Sequence, residues 1–237
     1  MPGLGTLINV AAIVVGGLLG LLLRSRLSDE LQQNLVRVVA LCTLFIGIQG
    51  TLEQAIVLSE GAVKMQGTMM AMGSLIAGTL IGSWLGIEKA IVRLGEWLKA
   101  KSGSGDDRQF VTAFVTTSLT VCIGAMAVVG SIRDGIDHDY SVLAAKAILD
   151  AVFVMAFSAS LGRGCIFSAV PVAVFQGTMT LLAALIAPFL TPAALGNISL
   201  VGSMMIFCVG VNIIWGTKFK VADMLPALVI AAAWAAF

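Results

Sequence analysis

The sequence predicts an all-α, polytopic transmembrane helical bundle of about eight spans, and three observations carry that reading. Hydrophobic residues fill 59% of the 237 positions and charged residues 11%, with a mean hydropathy of +1.02; water-soluble domains carry about a quarter charged residues. The apolar residues fall into runs near the length of a span, roughly 20 residues. Lys and Arg gather on alternate connecting segments, as cytoplasmic loops require. A net charge of +1 and a single His argue against nucleic acid as a partner, which needs many basic side chains to neutralise phosphates.

The runs cover residues 5–23, 36–53, 66–86, 110–132, 141–162, 166–190, 196–216 and 221–237, the last being short. Helices are expected because a backbone in lipid must satisfy its own hydrogen bonds, and the runs are too long for barrel strands. No charged side chain precedes the first run, and Arg24 and Arg26 follow it. It therefore reads as an uncleaved anchor with its N-terminus outside. With that start, inner segments hold Arg24, Arg26, Arg37, Lys89, Arg93, Lys99, Lys101, Arg108, Arg163, Lys218 and Lys220, eleven of the fourteen basic residues. Lys64 and Arg133 fall in outer loops with Glu53, Glu60, Asp134, Asp137 and Asp139, and both termini are expected outside.

Two segments between spans are not spans. Ser28 to Leu35 opens with a capping residue, and Glu88 to Lys101 sets Ile91, Leu94, Trp97 and Leu98 on one side with charges on the other, the pattern of a helix lying on the inner surface. The linker at 102–109 separates a first half, 1–101, from a second three-span half, 110–190, and two C-terminal spans, 191–237. Two three-span halves entering from opposite sides are the arrangement of inverted-topology repeats. Val14-Val15-Gly16 against Val128-Val129-Gly130, and Gln66-Gly67-Thr68-Met69 against Gln176-Gly177-Thr178-Met179, are short matches between them. Small residues recur at helical spacing at Ala12, Gly16 and Gly20, at Ser74, Gly78, Gly82 and Gly86, and at Thr116, Thr120 and Gly124. Such ridges pack helices closely; the second is also where a homo-oligomer seam would form.

An ionisable group at the bilayer centre costs on the order of 2.5–3.5 kcal/mol by insertion scales, so each needs a reason. Asp150 is central in the 141–162 run, Lys146 stands one turn earlier on the same face, and Ser158 continues that face. The pair is either a structural ion pair or a carboxylate that takes up a cation, Na+ or H+, with Lys146 setting its charge state. Pro171 frees the carbonyl of Phe167 and predicts a helix break, with Gln176 and Gly177 following near the midplane. Asn9, Gln49 and Asn212 read as interhelical hydrogen-bonding amides. Arg163, in the tight Gly162–Cys165 turn, snorkels to the headgroups or closes the inner mouth. His138 reads as a surface residue. Cys42, Cys122, Cys165 and Cys208 have no paired spacing and read as small buried residues, so neither a metal site nor a cofactor is expected.

The string Cys122-Ile123-Gly124-Ala125-Met126-Ala127-Val128-Val129-Gly130-Ser131-Ile132-Arg133-Asp134-Gly135, the Lys146 and Leu149-Asp150 pair, Phe167-Ser168-Ala169-Val170-Pro171, Gln176-Gly177 and the N-terminal Gly5-Thr6-Leu7-Ile8-Asn9 and Gly16-Gly17-Leu18-Leu19-Gly20 resemble the YqgA/YdfK-like family of bacterial inner-membrane proteins. The resemblance implies a polytopic protein of that membrane and no particular substrate. The functional expectation is a secondary transporter or ion-coupled carrier of a small solute, with a midplane site around Asp150, Lys146, Gln176, Ser158 and the Thr120/Gly124 face. The alternatives are an oligomeric channel and a non-transporting scaffold docking through 88–101. With no HExxH, GxSxG or visible base beside a nucleophile, an enzyme is not expected.

Overall fold

A computed structural model describes residues 2–59, 62–104 and 107–235. Glu60, residues 105–106 of the linker and the last two residues of the eighth run lie outside that description. Among the described residues the helices are α1 (Leu4–Arg24), α2 (Asp29–Ala55), α3 (Thr68–Leu85), α4 (Ile87–Lys101), α5 (Phe110–Cys122), α6 (Ala125–Ile136), α7 (Ser141–Leu161), α8 (Ala169–Leu181), α9 (Ala183–Ile186), α10 (Pro192–Trp215) and α11 (Pro226–Trp234). Six are long and apolar enough to cross a membrane, taking α8 with the 3-10 turns Arg163–Ser168 that lead into it. The chain is thus an all-α, multi-pass membrane bundle.

The structure departs from the expected runs at four places. Ser28 does cap a helix, accepting from Leu31 N at 3.3 Å, but the 28–35 segment continues into the second span as one 27-residue helix. The segment after α2 forms two paired antiparallel strands, β1 (Ile56–Ser59) and β2 (Ala62–Met65), in which Ile56 faces Met65 and Val57 faces Lys64. The 110–132 run is broken into α5 and α6, which meet at 62°. The 221–237 run becomes 3-10 turns at Val221–Met224 followed by the nine-residue α11, too short to span 30 Å unaided.

Three helix pairs organise the molecule, and glycines set their spacing. α1 and α7 run parallel: a Cβ on Gly16 would meet the Ala151 carbonyl, and one on Gly20 the Met155 carbonyl. α2 and α10 run antiparallel, with Gly47 on Phe207 and Gly210 on Leu44; α3 and α11 do the same, with Gly78 on Ala227 and Gly82 on Asp223. The Ser74–Gly82 ridge is therefore filled by the chain's own α11, and the first ridge by α7. Without a hydrophobic drive in lipid, such backbone approach is what holds helices together. One apolar core joins α3, α10 and α11 around Met205, Val201 and Ala227; another joins α1, α5, α7 and α8 around Ile13, Phe157 and Val172. Gln66-Gly67-Thr68-Met69 opens α3 with Gly67 at φ 77°, whereas Gln176-Gly177-Thr178-Met179 lies inside α8, so these matching strings are not structurally equivalent.

α4 covers the 88–101 segment: Gly95 and Leu98 pack on Phe114 and its neighbours in α5, while Leu94 and Trp97 are exposed. Its start is tied to α11's. Asp223 accepts from Glu88 N at 2.8 Å and from Ser83 Oγ at 3.0 Å, and Glu88 accepts from Ala222 N at 3.0 Å, so each carboxylate caps the other's helical turn. Burial pushes the Glu88 carboxyl above its ordinary value, against the Ala222 N–H, which favours the ion, and with Asp223, which opposes it. A carboxyl raised in the folded state stabilises fully below its unfolded pKa and loses that contribution as pH rises through the folded value. Wild-type melting temperature should therefore fall as pH rises through that window, and Glu88→Gln should flatten the fall.

Close approach makes a second expectation. Gly16→Leu should cost about 1–3 kcal/mol or more through overpacking. Gly177, with no neighbour within 4 Å of a built Cβ, should accept Ala with a gain of roughly 0.5–1 kcal/mol. Detergent unfolding of the purified variants measures both.

Candidate functional site

The site begins with a backbone break. Ile123 is extended and Gly124 has φ 146°, a conformation that L side chains rarely adopt, and this ends α5 before α6 can continue it. In an unbroken helix the Val121 carbonyl would accept from Ala125 N; the bend removes that donor. Lys146 supplies another. Its Nζ donates to Val121 O at 2.8 Å and to Asp150 Oδ1 and Oδ2 at 2.6 and 2.5 Å, which uses all three ammonium hydrogens. The positive charge also sits at the negative end of the α5 dipole.

Asp150 lies near the middle of α7 and is 4% exposed, and Lys146 is 6% exposed. Asn9 of α1 completes the shell, donating from Nδ2 to Asp150 Oδ2 at 3.0 Å. The parallel α1/α7 contact makes this possible, since Gly16 and Gly20 let the helices close up and align Asn9 with Asp150. A carboxylate can only accept, so Asn9 must turn its Oδ1 away, and that oxygen is buried without a partner.

The other expected residues are spread along the same helices. Thr120 folds its hydroxyl onto the Thr116 carbonyl at 2.8 Å and does not reach Asp150. Gly124 contributes the break itself and not a continuous Thr120/Gly124 face. Ser158 is buried two turns from Asp150, where it packs against Gly20. Gln176 is 1% exposed, with both amide atoms unpartnered, and has no hydrogen bond to Asp150. Pro171 stands in the first turn of α8, where its missing N–H has no helical partner to lose; the break at depth is at Gly124. α8 packs on α6, α1 and α5 rather than lying along α7. Arg163 and His138 are exposed, and Arg24 instead caps α7, donating to Ser160 O at 2.6 Å. Asn212 orders the turn after α10 through Lys218 N, Phe219 N and Phe219 O, not a neighbouring helix. Cys42 is exposed; Cys165 is buried.

Sequence reasoning missed three contributors. Asn9 was one amide among several, and only helix pairing singles it out. The Val121 carbonyl carries no side-chain signal. Asp134, expected in an outer loop, is fully buried in α6, where its Oδ2 accepts from Gly5 N at 3.1 Å. Beside the break, a cavity of about 770 Å³ opens among Cys122, Gly124, Val128, Phe175, Met179 and Leu228, with an almost wholly apolar lining.

With the site described, comparison with known proteins places the chain. The family described as "Protein of unknown function (DUF554)" matches residues 4–236. The chain belongs to this family. It is 29% identical over 242 residues to "Uncharacterized protein YqgA" of Escherichia coli (strain K12), covering 99% of this chain and 98% of that one. It is 23% identical over 227 residues to "Uncharacterized membrane protein YdfK" of Bacillus subtilis (strain 168), covering 95% and 93%. No solved structure matches significantly.

Breaking a buried pair by removing one partner leaves an uncompensated charge and typically costs about 3–5 kcal/mol. Lys146→Met should be destabilised by that order, and Lys146→Met with Asp150→Leu should recover much of the loss. A double-mutant cycle in detergent or bicelles measures the coupling.

Proposed function

We propose that this protein is an ion-coupled secondary carrier of a small polar solute in the bacterial inner membrane, with Asp150, Lys146 and Asn9 as its midplane site. The observation that carries this reading is the Lys146 ammonium shared between a buried carboxylate and a carbonyl released by a broken span. Discontinuous spans with free backbone groups at depth are how carriers build sites in lipid. A helix that only packed would have no use for the break.

The chemistry suits exchange. An incoming ammonium competes with Lys146 for Asp150, and an incoming carboxylate competes with Asp150 for Lys146. Only a zwitterion that does both at once, its ammonium on Asp150 and its carboxylate on Lys146, keeps the charge of the interior balanced, because a lone ion would leave one member of the pair uncompensated. The favoured solutes are therefore small zwitterions that carry both an ammonium and a carboxylate. The orientation proposed has both termini outside, with the 3-10 turns at 221–224 and α11 as a short eighth crossing. It is supported by the parallel α1/α7 pair and the antiparallel α2/α10 and α3/α11 pairs, which agree with strict alternation. A channel along an oligomer axis loses its best support, because the α3 ridge is covered within the chain.

A thermal-shift screen of small amines, carboxylates and amino acids on the purified protein tests the reading, followed by uptake into proteoliposomes. A ligand should raise the melting temperature of the wild type saturably, and Asp150→Asn should lose that response and most of the uptake. No stabilising compound in the screen, or equal stabilisation of Asp150→Asn, would contradict it.

A further inference from the structure

Beyond the solute site, we propose that Asp134 is the centre of a sodium-ion site between α1, α6 and α8, and that this ion is the one coupled to transport. The coupling clause rests on the carrier reading; the site does not.

The first argument is charge. Three ionisable side chains are buried in the part of the bundle built by α1, α6, α7 and α8: Asp134, Lys146 and Asp150. Lys146 is committed to Asp150. Among the described residues no cation pairs with Asp134; Arg133 beside it is exposed and points to Asp139 at 4.0 Å. Of the helices packed on α6, α7 brings the Lys146–Asp150 pair, α1 has only Arg24 at its far end, and α8, α9 and α10 bring no Asp, Glu, Lys or Arg. Among the described residues, the side chains of this part of the interior therefore hold one negative charge in excess. An uncompensated buried charge is too costly to keep, and one monovalent cation balances it. The Gly5 N–H, at the positive end of α1, donates to Asp134 Oδ2 but carries no full charge.

The second argument is oxygen. Asp134 Oδ1, Thr6 Oγ1, Asn9 Oδ1 and Thr180 Oγ1 are all buried without a hydrogen-bond partner. Thr6 adjoins Gly5, which touches Asp134; Asn9 is one turn further along the same buried face of α1; and the Thr180 carbonyl lies against Gly135. Elsewhere in the molecule Thr43, Thr51 and Thr79 turn their hydroxyls back onto the carbonyl four residues earlier, whereas Thr6 and Thr180 make no such bond. A proton on Asp134 would satisfy one or two of these oxygens and leave the others. A hard cation held by Asp134 Oδ1 would draw on such oxygens, since carboxylate, amide and hydroxyl groups are the ligands these ions prefer.

Asn9 then has two faces. Its Nδ2 holds Asp150 and its Oδ1 belongs to the sodium site, so one amide joins the two. Filling either site fixes the orientation of that amide for the other, and such coupling is reciprocal.

The test is a titration of the full-length purified protein with NaCl against choline chloride and KCl at constant ionic strength and pH, with no solute present, reading melting temperature and 22Na+ binding. The expected result is saturable stabilisation by Na+ alone with one ion bound per chain, and at least about a tenfold weaker Kd in Asp134→Asn. Thr180→Val, nearly isosteric, should weaken binding severalfold and carries the test if Asp134→Asn does not fold. Equal responses to the three salts would overturn the proposal, as would unchanged Na+ affinity in these variants, or a stability that follows pH through Asp134 and ignores Na+. Because no solute is present, failure here is separable from failure of the carrier reading.

Discussion

The Lys146 ammonium holds three elements at once: the carboxylate of its own helix, the end of a helix that stops inside the bundle, and, through Asp150, the amide of α1. Each partner would be costly alone. A carboxylate in this setting needs a counter-charge, a free carbonyl in lipid needs a donor, and an ammonium needs three acceptors. Together the requirements cancel, with Asn9 donating the remaining bond. The bend at Gly124 is the precondition, because an unbroken α5–α6 span would spend the Val121 carbonyl on its own backbone.

The glycines of α1 belong to the same constraint. Gly16 and Gly20 allow α1 to lie directly on the α7 backbone, and this contact aligns Gly5, Thr6 and Asn9 with the polar face of the interior. In the remainder of the molecule, built on the α2/α10 and α3/α11 pairs, the buried polar groups Thr43, Ser74 and Asp223 all have hydrogen-bond partners. The polar side chains buried without partners lie on α1, on α5 to α8 and on the turns at 163–168. That concentration separates a region built to hold something from a region built to pack.

Much of the fold was legible because lipid leaves few options. Hydropathy located the long helices, and the distribution of Lys and Arg gave relative directions that the helix pairs reproduce. The central pair was legible too, since two charges four residues apart in a 21-residue apolar run can hardly be accidental. The break was not. Gly124 sits in a row of small residues and reads equally well as packing, while Pro171 advertises a break that the chain absorbs at a helix start. Asp134 was misplaced for a related reason: hydropathy treats charged residues near a span end as loop residues, and only the docking of α1 reveals that this one is enclosed. The strand pair at 56–59 and 62–65 was not legible because four-residue strands are too short to leave a hydropathy signal.

The account stands on the contact between Lys146 Nζ and the Val121 carbonyl. Solid-state NMR of protein in lipid, with 15N in lysine side chains and 13C in valine carbonyls and aspartate carboxyls, observes it directly. One lysine should show through-space correlations to both an aspartate carboxyl and a valine carbonyl, and both should vanish in Lys146→Met. A lysine correlated with the carboxyl alone would mean that the span is not broken where the site requires it, and would contradict the account.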